Sequence, residues 1–394
     1  MNSSTKPIPL ISIVVPTKDR NVYLFKLIEY FLKSIVSDQI EFIIQDNTKD
    51  NFEILKFLEN NNDPRIKYFH NSIWLSISEN CDIGISNSSG EFVTLIGDDD
   101  GFLPWIVDVC NWMKNKNIDV VLSNKPHYIW SDVSDGIWGN KFSGKLTYSD
   151  YTNKIKYINL DKEQNIALKK AATSLNNLPR VYQSIVSRDI LNNLKKVSGS
   201  FFPGPSPDMA NAIGLLSFIH KAVYIDFPIV ITGNGYKSTG GEGIRGKHHG
   251  KIEDKTFLPK NTAENWEIKN PFFWCGSTIY AESAIKAFIK SGRKDLVENF
   301  NYNYLYAHCL VFERFYLKET FKKIKKEIKN QPLSLFVILF YFFKIFFIRA
   351  ITFIKNVLSN KLNLTSLKIK NFETINLASE FLIKKFENKS KPWE

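Results

Sequence analysis

Three consecutive carboxylates, Asp98-Asp99-Asp100, follow the apolar run Phe92–Ile96 after one glycine. Side by side such groups repel, and they stay ionised together only where a cation or many hydrogen-bond donors compensate. Carboxylate oxygens suit Mg2+ or Mn2+, which keep open positions for phosphate oxygens; the alternative is a solvated acidic turn. A second cluster lies in Thr232–Gly250, which holds seven glycines, His248-His249, Lys237, Arg245 and Lys247. Either imidazole can complete a metal shell or touch a diphosphate, and the three cations can neutralise phosphates. A segment so rich in glycine does not hold one conformation unaided, so it is expected to order on a ligand and close as a lid. Trp130, Trp138 and Tyr182 offer ring faces on which a ligand could stack, with core packing as the other role.

These groups need elements to hold them. Leu10–Val15 is a short β-branched run ending at Pro16, as a buried parallel strand would. Leu24, Leu27, Ile28, Phe31, Leu32 and Ile35 then recur at helical spacing. Strands are predicted at 40–44, 65–69, 92–96 and 118–123, with helices at 52–58, 78–88 and 104–115 between them. Alternation of this kind gives an open, mostly parallel α/β sheet with helices on both faces. Ligands bind such sheets beyond the carboxyl ends of the strands. Asp19, Asp46 and Asp98 to Asp100 all follow strand ends and are expected to converge there. Residues 125–177 read as a mobile insertion, 209–221 as helix, 222–231 as strand, and everything from Asn270 onward as helical.

The three stretches Ile11–Arg20 (ISIVVPTKDR), Ile43–Asp50 (IIQDNTKD) and Gly90–Asp100 (GEFVTLIGDDD) together resemble the nucleotide-sugar domain of family 2 glycosyltransferases with the GT-A fold. The likeness extends over roughly residues 8–250 and is greatest to bacterial enzymes that build O-antigen, capsule or related surface polysaccharide. It implies an inverting, metal-dependent transfer from a nucleoside diphosphate sugar to a carbohydrate acceptor, with Mn2+ or Mg2+ as cofactor. Pro16 and Thr17 would then form the first strand-end loop at the nucleotide, Asp19 and Arg20 would approach it, and Asp46 would accept a hydrogen bond from the base. Asp98 and Asp99 would lie by the nucleotide sugar, Asp99 near the ribose, and Asp100 would bind the metal. An imide N–H partner for Asp46 favours a UDP-sugar. Gln45-Asp46-Asn47-Thr48 departs from the family's Asp-Asp-Gly-Ser, and Ser78-Glu79-Asn80-Cys81-Asp82 stands where the family has Ala-Arg-Asn. The family's base, an acid about 100 residues past the metal motif at a helix start, falls on Asp208; the plain alternative is a helix cap.

Composition bounds the rest. The chain has 394 residues, 44% hydrophobic and 23% charged, which excludes a disordered chain or a multi-span membrane protein. Its net charge of +12 is concentrated: from Arg314 onward there are 17 Lys/Arg against 6 Glu, leaving 35 cations against 34 anions before it. A neutral body with a basic tail argues against nucleic acid and for an anionic membrane surface. Leu335–Phe343 is continuously apolar, and Lys344 and Arg349 favour lying in the interface over spanning it. Burial against the body is the alternative. The four cysteines have no CxxC spacing and the start carries no signal-peptide pattern, so a cytoplasmic protein on the inner face of the membrane is expected, its acceptor possibly linked to polyprenyl diphosphate. Three regions follow: 1–125 binding the nucleotide sugar, 126–250 binding the acceptor and carrying catalysis, and 251–394 helical, with a membrane-contacting segment at 318–356. A sugar-phosphate nucleotidyltransferase and a non-catalytic scaffold are the competing readings.

Overall fold

The computed structural model describes residues 8–134, 139–361 and 367–394. Its first half alternates as predicted: β1 (Ile11–Thr17), α1 (Asn21–Ser34), β2 (Ile40–Asp46), α2 (Phe52–Asn60), β3 (Ile66–His70), α3 (Ile77–Ser86) and β4 (Phe92–Leu95). The short β5 (Gly101–Phe102), α4 (Ile106–Lys116) and β6 (Val120–Ser123) follow. Successive residues of β1 and β2 point to opposite layers, as strand geometry requires. Ile11, Ile13, Val15, Phe42 and Ile44 pack against α1 and α4, while Val14 and Ile43 pack against α3. Both faces of the sheet are therefore covered, which is why these strands read as unbroken apolar runs.

The segment expected to be a mobile insertion forms regular elements over its described residues. It contains β7 (His127–Ile129), β8 (Lys145–Ser149), β9 (Ile155–Tyr157) and α5 (Leu160–Lys169). Each strand there finds a partner far along the chain: β7 pairs with β12 (Val230–Asn234), β8 with β15 (Leu367–Asn371), and β9 with β11 (Ala222–Ile225). The expected strand over 222–231 is in fact β11 and β12, separated around Pro228, which has no N–H to give a ladder. Between lie β10 (Ile185–Ser187), α6 (Arg188–Ser198) and α7 (Pro207–Leu215).

The main sheet has eight strands in the order β3-β2-β1-β4-β10-β6-β11-β9. It is mostly parallel, β10 and β9 being the antiparallel members. A second sheet runs β15-β8-β7-β12-β5. The Gly-rich segment is not a bare loop: after β12 it forms α8 (Thr239–Ile244) and β13 (His249–Gly250), which pairs with β14 (Trp274–Cys275). Next come α9 (Gly276–Lys290), α10 (Tyr302–Phe312), α11 (Leu317–Asn330), α12 (Ser334–Lys361) and, after β15, α13 (Ile375–Phe386). The C-terminal region is thus not helical throughout. It returns to the body, where Ile375, Leu382 and Phe386 of α13 are buried with Tyr23, Trp105 and Tyr128. All four cysteines are buried thiols.

Candidate active site

At the carboxyl ends of β1 and β4 the structure opens a cleft of about 760 Å³. It is lined by Pro16, Thr17, Asp19 and Arg20, by Gly97 and Asp99, by Tyr182 and Pro205–Asp208, and by Lys237–Gly240 with His248. The sheet brings these groups together because β1 ends at Thr17 and β4 at Leu95 in parallel register.

The three aspartates are divided by the turn that carries them. Asp98 is fully buried, accepts from Thr17 Oγ1 at 2.6 Å, and pairs with Arg20 at 2.5 Å. Asp100 is also fully buried, and its oxygens accept from the Gly97 amide (2.8 Å), Gln183 Nε2 (2.9 Å) and the Gly233 amide (2.8 Å). Burial and the Asp99 charge hold the Asp100 carboxyl above its ordinary range, against the pull of those donors. Asp99 alone of the three lines the cleft; its Oδ2 accepts from the Gly235 amide at 2.8 Å and its Oδ1 lies 3.7 Å from Arg20. Asp100, expected to bind the metal, is not among the cleft residues, and its carboxylate holds the turn to β12.

Asp46, expected to accept a hydrogen bond from the base, is fully buried, takes hydrogen bonds from the Thr48 amide and the Tyr68 hydroxyl, both at 2.8 Å, and is not among the cleft residues. Its neighbour Asn47 lines the cleft instead, accepting from the Leu75 amide at 3.0 Å. Asn80 also faces the cleft and reaches toward the Thr17 carbonyl at 3.3 Å. Asp82 takes Ser200 Oγ (2.8 Å) and the Phe201 amide (2.6 Å), fastening the loop that leads to α7. Asp19, exposed at the mouth, has a left-handed backbone (φ 53°), and its carbonyl accepts Lys237 Nζ at 3.2 Å.

Asp208 is the second residue of α7, after the cap position Ser206 and Pro207 at the first turn. It is therefore not the cap, and it lines the cleft, as Asp99 does. Burial pushes its pKa up, opposed by the charges of Arg180 and Lys125 and by a hydrogen bond with Tyr280. Burial and the nearby Arg180 lower Lys125 to about 7, while Asp100 and Asp208 favour its charged form. Sequence reasoning missed Lys125, Arg180 and Tyr280. They lie outside any motif, and only the fold sets them around Asp208.

The paired histidines divide. His248 lines the cleft, packs on Trp274 with ring centres 4.2 Å apart, and leaves Nδ1 without a hydrogen-bond partner. Burial, Lys255 and His249 lower its pKa to about 4, so it is neutral at pH 7. His249 belongs to β13 and stacks on Phe315 instead. Of the three lid cations only Lys237 reaches the cleft. Arg245 is buried within the Gly-rich segment, its guanidinium 3.7 Å from the Tyr236 ring centre, and Lys247 is exposed and not among the cleft residues. Trp130 is a core residue whose Nε1 donates to the Asp99 carbonyl at 2.8 Å; Trp138 lies outside the described residues. Among the described residues, no three His, Cys, Asp or Glu side chains converge as a metal cage. The Asp99 carboxylate and the neutral His248 imidazole, both lining the cleft, suit a divalent cation of the Mg2+ or Mn2+ type, which takes its other ligands from water and phosphate.

Residues 12–168 match the family model described as Glycosyl transferase family 2. That match spans 157 of the chain's 394 residues. It is 26% identical over 219 residues to the GalNAc(5)-diNAcBac-PP-undecaprenol beta-1,3-glucosyltransferase of Campylobacter jejuni, covering 55% of this chain and 64% of that protein. It is 27% identical over 128 residues to the glycosyltransferase GlyG of Streptococcus pneumoniae, covering 32% of this chain and 42% of GlyG. The alignments thus span less than two thirds of these relatives. Residues 1–349 of S. aureus TarS, solved with UDP-GlcNAc, superpose with a TM-score of 0.45 at 11% identity, over 82% of this chain and 92% of that one.

Proposed function

We propose that this family 2 domain transfers a sugar, with inversion, from a nucleoside diphosphate sugar to a carbohydrate carried on a polyprenyl diphosphate, on the cytoplasmic side of a bacterial membrane during surface-polysaccharide synthesis. The observation that carries the reading is the pair of carboxylates, Asp99 and Asp208, lining the same cleft as Lys237 and His248. The Campylobacter relative, whose name states an undecaprenyl-diphosphate-linked acceptor, supports the lipid-linked acceptor.

In this reading the acceptor hydroxyl attacks the anomeric carbon, the bond from that carbon to the diphosphate oxygen breaks, and the diphosphate departs with the electron pair. Asp208 takes the hydroxyl proton. A carboxylate made more basic by burial suits that task, because a base works best when its pKa approaches the working pH. Lys237 supplies positive charge beside the donor. Thr17 and Arg20, fixed on Asp98, hold the first loop in shape for the nucleotide. Asp99 and His248 would hold the Mn2+ or Mg2+, which when bound offsets negative charge on the diphosphate.

The test is thermal unfolding with UDP, GDP, dTDP and CMP, each with and without Mn2+. A ligand that binds only the folded state stabilises it by about 2.7 kcal/mol at a hundredfold excess over its dissociation constant. Metal-dependent stabilisation by one nucleoside diphosphate is expected and names the donor class; no stabilisation by any of them sinks the reading.

A further inference from the structure

The structure describes both ends of α12, and the chain on either side of it belongs to one body. Before it, α10 and α12 lie side by side: Ile338 and Ile345 are buried, Tyr341 Oη accepts from Asn301 at 3.1 Å, and Arg349 donates to the Val311 carbonyl at 2.8 Å. After it, β15 pairs with β8, Leu367 opposite Ser149 and Asn371 opposite Lys145, and α13 is buried in the core beside the cleft. Yet within the apolar stretch Ser334–Lys355 only Ser334, Ile338 and Ile345 are buried in the protein. Phe336, Phe340, Phe347 and Phe353 are each about 60–70% exposed.

We infer that α12 lies in the plane of an anionic membrane surface and does not cross it. By composition it is long enough to cross: its 28 residues rise about 42 Å, against a hydrocarbon core of about 30 Å. Crossing would leave Lys361 on the far side. Six residue steps separate it from Leu367, and fully extended they reach about 22 Å, short of the return across the core. The returning backbone would also cross hydrocarbon without hydrogen-bond partners. Lying flat removes both obstacles.

Charge decides what covers the apolar face. The exposed lysines of α11, from Lys318 to Lys329, lie on the helix packed next to α12, and Lys344 folds over the Phe340 ring at 5.8 Å. Aromatic residues beside a dense row of lysines match anionic lipid, whereas a second copy would bring the same positive charge against itself. The surface also adjoins the cleft: His249, at the lid edge, stacks on Phe315 just ahead of α11, and Phe315 is itself exposed.

This deepens the membrane-side placement proposed above and rests on it, so the experiment reads topology rather than transfer. The full chain carrying Lys355→Cys, an exposed basic position at the far end of the apolar stretch in a protein whose own cysteines are all buried, is synthesised with sealed vesicles of phosphatidylglycerol and phosphatidylethanolamine. The protein is expected to float with the vesicles and to react fully with a membrane-impermeant maleimide added outside. Changing Lys322, Lys325 and Lys326 to Gln is expected to lower vesicle partition about a hundredfold, at roughly fivefold per basic side chain on an anionic surface. The pair Phe340→Glu and Phe347→Glu is expected to abolish flotation and leave nucleotide binding unchanged. Flotation with the introduced thiol protected until the vesicles are lysed overturns the in-plane topology alone. No flotation, with a concentration-dependent dimer in light scattering, overturns the membrane placement as well and assigns the face to a second copy.

Discussion

Replacing Gly233 with alanine puts a methyl group where the fold has no room for one. A Cβ built there lies 1.6 Å from the Asp99 carbonyl oxygen and 2.4 Å from its carbon, where contacts under 3.0 Å essentially never occur. The two backbones must separate by about 1.4 Å. Neither is free to move: the same Asp99 oxygen accepts from Trp130, and the Gly233 amide donates to Asp100 at 2.8 Å. Overpacking of this size costs about 1–3 kcal/mol, and weakening a hydrogen bond to a charged group adds about 1.5–3. The expected destabilisation is therefore about 2.5–6 kcal/mol. Because the displaced turn carries Asp99, donor turnover is expected to fall about a hundredfold, the scale of a misplacement near 1 Å. The control is Gly243→Ala in the same segment, where the added Cβ meets nothing within 4 Å; its stability is expected to stay within about 1 kcal/mol of the parent. Denaturant unfolding and release of nucleotide from the sugar donor measure both quantities. If Gly233→Ala unfolds and turns over like Gly243→Ala, the close packing of β12 on the acidic turn is wrong.

Asp208→Asn is expected to bind nucleotide as the parent does while transfer drops about 10²–10⁴-fold; near-full transfer in a product assay would remove Asp208 as the base. Arg180→Gln tests the surroundings of that base. Burial raises Asp208 and Arg180 opposes the rise, so losing the cation lifts the pKa further. The base must be ionised, and the acid limb of kcat/KM is expected to move to higher pH; an unmoved or lowered limb refutes the coupling. Asp99→Asn is expected to erase the Mn2+-dependent part of nucleotide affinity in calorimetry. Asp100→Asn, whose carboxylate holds three donors inside the protein, is expected to lower thermal stability first, and the reverse ranking would restore Asp100 as the cleft ligand.

The sequence by itself determined the sheet's core and the chemistry's address. Val14 and Val15 point to opposite layers because strand side chains alternate, and Leu24, Leu27, Ile28 and Phe31 share a helix face; both patterns are local and survive without tertiary context. A strand that stops at Gly97 ahead of three aspartates marks the sheet edge for the same reason. Which aspartate faces the cleft was not local. Asp100 is taken by Gln183 and Gly233, 83 and 133 residues away, and Asp46 by Tyr68 on the neighbouring strand. Backbone pairing across long separations likewise ordered 145–149, whose partner β15 comes more than 200 residues later and whose exposed lysines suit an edge strand. The division of His248 from His249 came from the pairing of β13 with β14, which sends adjacent side chains to opposite sides. Arg180 and Lys125 approach Asp208 only once β6, α7 and the segment before β10 are packed. Residue types and short periods follow from local sterics and can be read from the chain, whereas the partners that occupy or release each buried polar atom are chosen by long-range packing.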